Sequence, residues 1–223
     1  MDAYAAVGFD LDGTLFDHRG AATDAVATLM RQLGAAPDPK SIEFWFDAED
    51  RYYEEWRSGR LSFAEQRHAR LRTFLPVIGA SVPTATQDLD AIFDQYFAAY
   101  EAGWRAFPDA IPLVAKLRDG GLAVGVLTNG TREQQLKKLA AIGLEDVFDV
   151  VCVSEEIGFQ KPDVRAFEAL ARGVGMRTSG VVFVGDHPSH DIAGARAAGM
   201  RAGLVERYSA PPVHLEAALE NAL

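Results

Sequence analysis

The residues of this sequence that could perform chemistry are mostly acidic, and they follow apolar segments with the length of buried strands. Asp10 lies near the end of the run that begins at Tyr4, and Asp12 follows two residues later. Asp186 follows the run Val-Val-Phe-Val-Gly, and Asp191 comes shortly after it. Carboxylates gathered at one point repel one another unless a cation compensates them. The pattern therefore predicts a metal site, and Mg²⁺ prefers a few such oxygens together with water and phosphate.

Groups that could bind a phosphate follow the other predicted strands. Thr128, Asn129 and Gly130 come after the second strand, and Lys161 comes after the third. Lys161 could neutralise both the Asp10 carboxylate and a bound phosphate. Each short motif by itself is more typical of a turn or a solvated loop. Their repetition after successive strands indicates instead that they share one site.

The elements that must position these residues alternate between strand and helix. Strands are predicted at 4–11, 122–127, 148–153, 181–184 and 202–205, and helices at 109–119, 132–142, 163–174 and 191–198. This alternation predicts an α/β fold, a Rossmann-like doubly wound parallel sheet with helices on both faces. Ligands bind such sheets beyond the carboxyl ends of the strands, which is where the candidate residues lie.

A long insertion interrupts the alternation. Helices are predicted at 21–33, 42–56, 62–78 and 87–102, with no convincing strand between them. We therefore predict an α/β core domain made of residues 1–16 and 106–223. The intervening residues 17–105 are predicted to form an inserted α-helical cap domain.

Composition narrows the range of partners. The chain has 223 residues and a net charge of −10, so its acidic surface should repel nucleic acid and anionic membranes. The single cysteine, Cys152, excludes an internal disulfide and fits a reducing compartment. No apolar stretch reaches the roughly 18 residues that span a bilayer. We expect a cytoplasmic protein, monomeric or homodimeric, that acts on a small phosphorylated metabolite.

Four motifs, in the order found here, resemble those of the haloacid dehalogenase (HAD) superfamily and specifically its phosphatases. They are Phe9-Asp10-Leu11-Asp12-Gly13-Thr14-Leu15, Leu127-Thr128-Asn129-Gly130, Lys161-Pro162, and the stretch from Gly185-Asp186 to Asp191-Ile-Ala-Gly-Ala. The resemblance covers the α/β part, and the helical insertion resembles a C1-type cap. Residues 154–162 and 59–63 are also similar to a subgroup with pyrimidine 5′-nucleotidases and N-acylneuraminate 9-phosphatases.

The resemblance implies a covalent mechanism. Asp10 would attack phosphorus and form an aspartyl-phosphate, while Asp12 would protonate the leaving oxygen and then activate water. The implied Mg²⁺ ligands are the Asp10 carboxylate, the Asp12 backbone carbonyl, Asp186 and, through water or by orienting another ligand, Asp191. The implied phosphoryl-binding groups are Thr128, the Asn129 amide, Gly130 and Lys161.

Substrate choice is expected to depend on the cap. Its arginines include four near one junction between helices, namely Arg57, Arg60, Arg67 and Arg70. We predict that Arg67 and Arg70 bind the substrate, the alternative being snorkelling or ion-paired side chains. Trp45, Tyr52 and Trp56 could stack on a base, although aromatic residues at helical spacing are more typical of a core.

The expected function is a Mg²⁺-dependent phosphatase for a small phosphomonoester, such as a nucleotide or a sugar phosphate. A phosphomutase of the same superfamily is the main alternative. A non-catalytic binding module is less expected, because no catalytic position is substituted. A dehalogenase is also less expected, because such enzymes resemble this chain but lack the second acid of the first motif, here Asp12.

Overall fold

The computed structural model describes residues 4–223, which contain one five-stranded parallel sheet. The strands are β1 (Ala6–Phe9), β2 (Ala123–Thr128), β3 (Val150–Val153), β4 (Val181–Gly185) and β5 (Arg201–Leu204). Their order across the sheet is β3-β2-β1-β4-β5, so β1 is central and pairs in parallel with β2 and β4. The predicted fold class is confirmed.

The helices account for most of the remaining regular structure. In chain order they are α1 (His18–Gln32), α2 (Pro39–Arg57), α3 (Phe63–Phe74), α4 (Thr86–Ala102), α5 (Ala110–Asp119), α6 (Arg132–Ala141), α7 (Ser154–Ile157), α8 (Val164–Gly173), α9 (Gly194–Ala197) and α10 (Leu215–Asn221). None of the helices within residues 4–223 has the length and apolar character needed to cross a membrane.

The described chain divides into two units. The sheet unit contains residues 4–18 and 104–223, and the helical unit contains Arg19–Gly103. That residues 17–105 form a cap domain stays a proposal.

The core of the sheet unit depends on close packing of α8 against the central strands. Leu170 of α8 is fully buried, and a Cβ added at Gly8 of β1 would lie 2.4 Å from its Cδ2 atom. A Cβ at Gly125 of β2 would lie 2.8 Å from Leu170 Cδ1. Glycine at these two strand positions therefore lets the helix approach the sheet closely. This packing fixes the strand ends from which the candidate residues project.

The helical unit has its own aromatic core. Trp45 is fully buried, and its ring centroid lies 5.0 Å from that of Phe74 and 4.5 Å from that of Tyr96. The Tyr52 hydroxyl lies 2.7 Å from Thr73 Oγ1. Trp45 is thus a core residue, as the helical spacing of the aromatic residues favoured.

Two predicted helices differ in their details. The helix predicted at 62–78 ends as α3 at Phe74 and continues as a 3₁₀ turn, Leu75–Ile78, because Pro76 has no N–H to donate. The helix predicted at 191–198 begins earlier, with a π-helical turn at Pro188–Ala193 that leads into α9. The short α7 and the C-terminal α10 were not predicted.

Candidate active site

Asp10 directly follows the central strand, and a buried lysine holds its carboxylate. Lys161 Nζ donates to Asp10 Oδ1 at 2.5 Å and lies 2.7 Å from Asp191 Oδ1. The exposed fraction is 5% for Asp10, 3% for Lys161 and 1% for Asp191. One ammonium group therefore bridges two carboxylates from different segments, and this is the compensating role predicted for Lys161.

Asp186 completes an acidic cluster with these residues. One carboxylate oxygen from each of Asp10, Asp186 and Asp191 lies within 4.8 Å of the others. When all three are ionised, Lys161 compensates one charge and leaves two. Asp10 Oδ2 is buried and accepts no hydrogen bond from the described residues. The charge and this unused oxygen both fit a divalent cation, for which carboxylate oxygens are suitable ligands.

Asp191 has a charged or polar neighbour at each of its carboxylate oxygens. Oδ1 pairs with Lys161, and Oδ2 accepts a hydrogen bond of 3.0 Å from the His187 backbone N–H. A carboxylate engaged in this way can orient Lys161 and the loop that carries Asp186. This contact supports an indirect role for Asp191 at a metal site.

Two glycines make the approach of the acids sterically feasible. A Cβ at Gly13 would lie 2.1 Å from Asp186 Oδ2, and one at Gly185 would lie 2.4 Å from Asp191 Oδ2. Gly13 also has a φ of 84°, in the left-handed region where a Cβ is strained. The conformation of the loop after β1 therefore requires glycine at position 13.

Asp10 and Asp186 hold their protons more tightly than free carboxyl groups do. Burial raises the pKa of Asp10 to about 7 against the opposing charge of Lys161, and the charge of Asp191 adds to the rise. Burial, followed by the charges of Asp10 and Asp191, raises the pKa of Asp186 well above its usual value. Burial opposes protonation of Lys161, but the two neighbouring carboxylates keep its pKa above the usual value. A cation bound here would displace these protons.

Asp12 lies in a different environment, which the sequence analysis did not identify. Lys138 Nζ donates to Asp12 Oδ1 at 2.5 Å, and Gln135 Nε2 donates to Oδ2 at 3.3 Å. Burial would raise the pKa of Asp12, but the charges of Lys138 and His18, with the two hydrogen bonds, hold it below its usual value. The sequence does contain one sign of this environment: Gln135 and Lys138 are polar and spaced i, i+3 on α6, shortly after the Thr-Asn-Gly motif, so they lie on the same face of that helix.

The Thr-Asn-Gly segment connects β2 with the loop that carries Lys161. The Asn129 side chain donates to the Lys161 carbonyl at 3.1 Å and accepts from the Lys161 N–H at 2.9 Å. The Gly130 N–H donates to Ser154 Oγ at 3.0 Å, so it is already engaged. Thr128 is 1% exposed, and its hydroxyl makes only a long contact of 3.4 Å to the Asn129 carbonyl. Phosphoryl binding by these three residues stays a prediction.

Arg70 is buried and paired with an acidic residue of the helical unit. It is 5% exposed, pairs with Glu49 at 2.5 Å, and lies over the rings of Trp45 and Phe93. Its guanidinium also donates to Gln66 at 3.3 Å. A buried, paired guanidinium is typical of a core residue of the helical unit, and substrate binding by Arg70 stays a prediction.

Arg67 packs against aromatic rings of the helical unit. Its guanidinium lies 4.4 Å from the ring centroid of Phe63, 4.7 Å from that of Phe93 and 5.6 Å from that of Phe97. Burial, followed by the charge of Arg70, lowers its pKa. Such contacts are typical of an arginine that packs against aromatic side chains inside a protein. Substrate binding by Arg67 stays a prediction.

Comparisons with known proteins agree with this geometry. The family described as haloacid dehalogenase-like hydrolase matches residues 4–199. The glyceraldehyde 3-phosphate phosphatase of Methanopyrus kandleri is 30% identical over 195 residues, which cover 87% of this chain and 81% of that protein. The ribulose-1,5-bisphosphate 5-phosphatase of Halopiger xanaduensis is 31% identical over 204 residues, which cover 90% of this chain and 84% of that protein. The HAD-hydrolase YfnB of Bacillus subtilis, whose structure was solved bound to magnesium, has the same fold, with a TM-score of 0.79. It is 21% identical, and the match covers 99% of this chain and 97% of that chain.

Proposed function

We propose a reaction for this chain on the premise that it belongs to the haloacid dehalogenase-like hydrolase family. Relatives that match most of its length are named phosphatases, and its acidic cluster fits a divalent metal. It is therefore a phosphoric monoester hydrolase. The observation that carries the mechanism is the pair of nearby carboxylates, Asp10 beside Lys161 and Asp12 beside Lys138.

The first step transfers the phosphoryl group to the enzyme. An Asp10 carboxylate oxygen forms a bond to phosphorus while the bond between phosphorus and the leaving oxygen breaks. Asp12 is ionised in the free site, takes up a proton as the substrate binds, and gives this proton to that oxygen, so the product leaves as a neutral alcohol. The enzyme then carries an aspartyl-phosphate at Asp10 and a carboxylate at Asp12.

The second step restores the enzyme. The Asp12 carboxylate takes a proton from a water molecule as the water oxygen bonds to phosphorus. The bond between phosphorus and the Asp10 oxygen breaks, and inorganic phosphate leaves. Asp10 is again a carboxylate, and Asp12 releases the proton that it took from water, because its pKa is low in the free site.

Other residues of the site stabilise the negative charge that is present on the phosphoryl oxygens during these steps. Lys161 holds Asp10 and neutralises negative charge on the transferring oxygens, with Asp191 fixing the position of its ammonium group. Thr128, the Asn129 amide and Gly130 are proposed to contact the phosphoryl group. A bound Mg²⁺, held by the Asp10 and Asp186 carboxylates and the Asp12 carbonyl, would supply further charge stabilisation.

The proposed substrates are small phosphate monoesters. The relatives compared above are named for a triose phosphate and a pentose bisphosphate, which favours sugar phosphates over nucleotides for this chain. The similarity to pyrimidine 5′-nucleotidases stays a prediction. The single cysteine fits a reducing cytoplasm, which we keep as part of the proposal.

One alternative keeps the same chemistry. A phosphomutase would form the same aspartyl-phosphate but return the phosphoryl group to the sugar before water could attack. Product analysis separates the two, because a mutase yields an isomeric sugar phosphate and a phosphatase yields inorganic phosphate. Asp12 itself argues against a dehalogenase, because a dehalogenase has no oxygen leaving group that needs a proton.

The substitution Asp10→Asn tests the mechanism. An amide cannot form the acyl-phosphate, so we expect phosphate release from p-nitrophenyl phosphate in MgCl₂ to fall at least about 10³-fold. Asp119→Asn is the matched control, because it makes the same change at an exposed residue of the sheet unit. Removal of metal with EDTA should abolish the wild-type activity, and MgCl₂ should restore it. Turnover by Asp10→Asn within about tenfold of the wild type would contradict the covalent route.

A further inference from the structure

Asp12 is held by side chains of α6 rather than by its own loop. Its carboxylate is 28% exposed and follows β1 by three residues. Lys138 bonds to one of its oxygens at 2.5 Å, and Gln135 bonds to the other at 3.3 Å. The two contacts constrain the rotation of the carboxylate, because each oxygen has its own donor.

Both donors are themselves fixed in place. Gln135 and Lys138 are each 3% exposed, and their i, i+3 spacing puts them on one face of α6. Gln135 Nε2 also donates to the Asn129 carbonyl at 2.9 Å. A Cβ at Gly130 would lie 2.4 Å from that nitrogen, so the glycine makes room for the amide. The segment proposed to bind phosphate and the acid/base residue are thereby joined through Gln135.

The burial of Lys138 calls for a specific explanation. Lysine is almost never fully buried without a partner, and the helix offers water-exposed positions nearby. Lys137, the preceding residue, is such an exposed lysine. The Lys138 ammonium lies instead against Asp12 and 5.0 Å from the centre of the Phe16 ring. Both of these contacts are made with the loop that follows β1.

We propose that Lys138, assisted by Gln135, is the positioning residue that directs the Asp12 carboxyl group toward the leaving oxygen. The inference rests on the proposed function, in which Asp12 transfers a proton to that oxygen. Proton transfer depends on hydrogen-bond distance and direction, and a misplacement of about 1 Å lowers a rate about 10²-fold. A donor on each carboxylate oxygen sets both the distance and the direction.

The proposal makes a prediction that depends on the leaving group. A weakly basic leaving group, such as p-nitrophenolate, departs with little need of a proton. A more basic one, such as phenolate, needs the proton as its bond to phosphorus breaks. Loss of the positioning residue should therefore slow phenyl phosphate much more than p-nitrophenyl phosphate. The two esters have the same ring, so a difference between them reports on proton transfer rather than on fit.

The experiment compares Lys138→Met with Lys137→Met, the same change one residue earlier on α6. The readout is kcat/KM in MgCl₂, which covers the steps up to formation of the aspartyl-phosphate. For Lys138→Met we expect kcat/KM for phenyl phosphate to fall roughly 30-fold or more, within the range of general acid catalysis. For p-nitrophenyl phosphate it should fall by less than about threefold. Lys137→Met should match the wild type on both esters.

A second variant separates positioning from folding. Lys138→Arg keeps a cationic donor for Asp12, so it should recover most of the lost rate on phenyl phosphate. Circular dichroism and melting temperature check that each variant is folded, and Gln135→Met provides an independent test if Lys138→Met does not fold. Equal losses on both esters, no loss on either, or a faster reaction with phenyl phosphate would overturn the inference. If the wild type hydrolyses neither ester, the proposed function itself fails, and the inference fails with it.

Discussion

The acidic cluster predicts that the metal-free protein loses stability as the pH rises. The pKa of Asp10 is about 7 in the folded protein, against 3.8 for an unperturbed aspartate. Between these values the folded state binds more protons than the unfolded state, so the free energy of unfolding decreases as pH increases. The raised pKa of Asp186 acts in the same direction. The lowered pKa of Asp12 contributes only at more acidic pH.

The magnitude follows from the shift of Asp10. Integrating the difference in bound protons from about pH 5 to about pH 7.5 gives a loss of about 2.5 kcal/mol. For a protein of this length, such a loss corresponds to a decrease in melting temperature of about 5–10 °C. A bound cation should cancel the loss, because it takes the place of the protons on the carboxylates.

Thermal unfolding in EDTA, followed by circular dichroism, measures the effect at both pH values. Asp10→Asn removes this titration, so its melting temperature should fall about 5–10 °C less than that of the wild type over the same interval. Asp119→Asn, at an exposed position, should show the same decrease in melting temperature between the two pH values as the wild type. MgCl₂ should raise the wild-type melting temperature more at the higher pH than at the lower one.

Two results would refute the reasoning. The first is a pH dependence in EDTA that is the same for the wild type and Asp10→Asn, which would mean that Asp10 has no raised pKa in the folded state. The second is stabilisation by MgCl₂ that is equal at both pH values, which would mean that the cation does not compete with protons at the cluster.

Two further predictions follow from single contacts. Gly13→Ala should lower kcat/KM at least about tenfold, because the added Cβ would lie 2.1 Å from Asp186 Oδ2. Gly121→Ala is the control for backbone strain in the same assay, because Gly121 has a similar positive φ of 79° but no atom within 4 Å of an added Cβ. Arg70→Met should lower the free energy of unfolding by about 3 kcal/mol in a urea titration, because Glu49 loses its buried partner. An unchanged stability with an altered order of preferred substrates would instead support substrate binding by Arg70.

The cluster of acids could be predicted because it depends on topology. Asp10 and Asp186 each follow an apolar strand, and parallel strands bring their carboxyl ends to one edge. Lys161 could be placed with them for the same reason. Their close approach depends in addition on β1 and β4 being neighbours in the sheet, which the strand order shows and the strand pattern alone does not.

The contacts that could not be predicted depend on side-chain packing instead. Lys138 was not predicted as buried, because a lysine on an amphipathic helix is ordinarily solvated. The arginines gathered near one junction between helices predict substrate binding by Arg70, and its pairing with Glu49 of α2 inside the helical unit could not be predicted from that pattern. Such pairings join positions far apart in the sequence, and hydrophobic periodicity carries no information about them.

The two carboxylates proposed for catalysis illustrate how one short loop can hold groups in different environments. Asp10 and Asp12 are two residues apart, yet burial raises the pKa of Asp10, whereas Lys138 and His18 overcome burial and lower that of Asp12. The difference comes from partners outside the loop, because Lys161 is shared with Asp191 while Lys138 serves Asp12. These shifts belong to the site without metal and substrate, where Asp10 is the more easily protonated acid. The proposed roles therefore require a bound cation to ionise Asp10 and a bound substrate to bring the proton to Asp12. A chain with the same Asp-x-Asp loop but no lysine on the helix after β2 would therefore position its acid by other means.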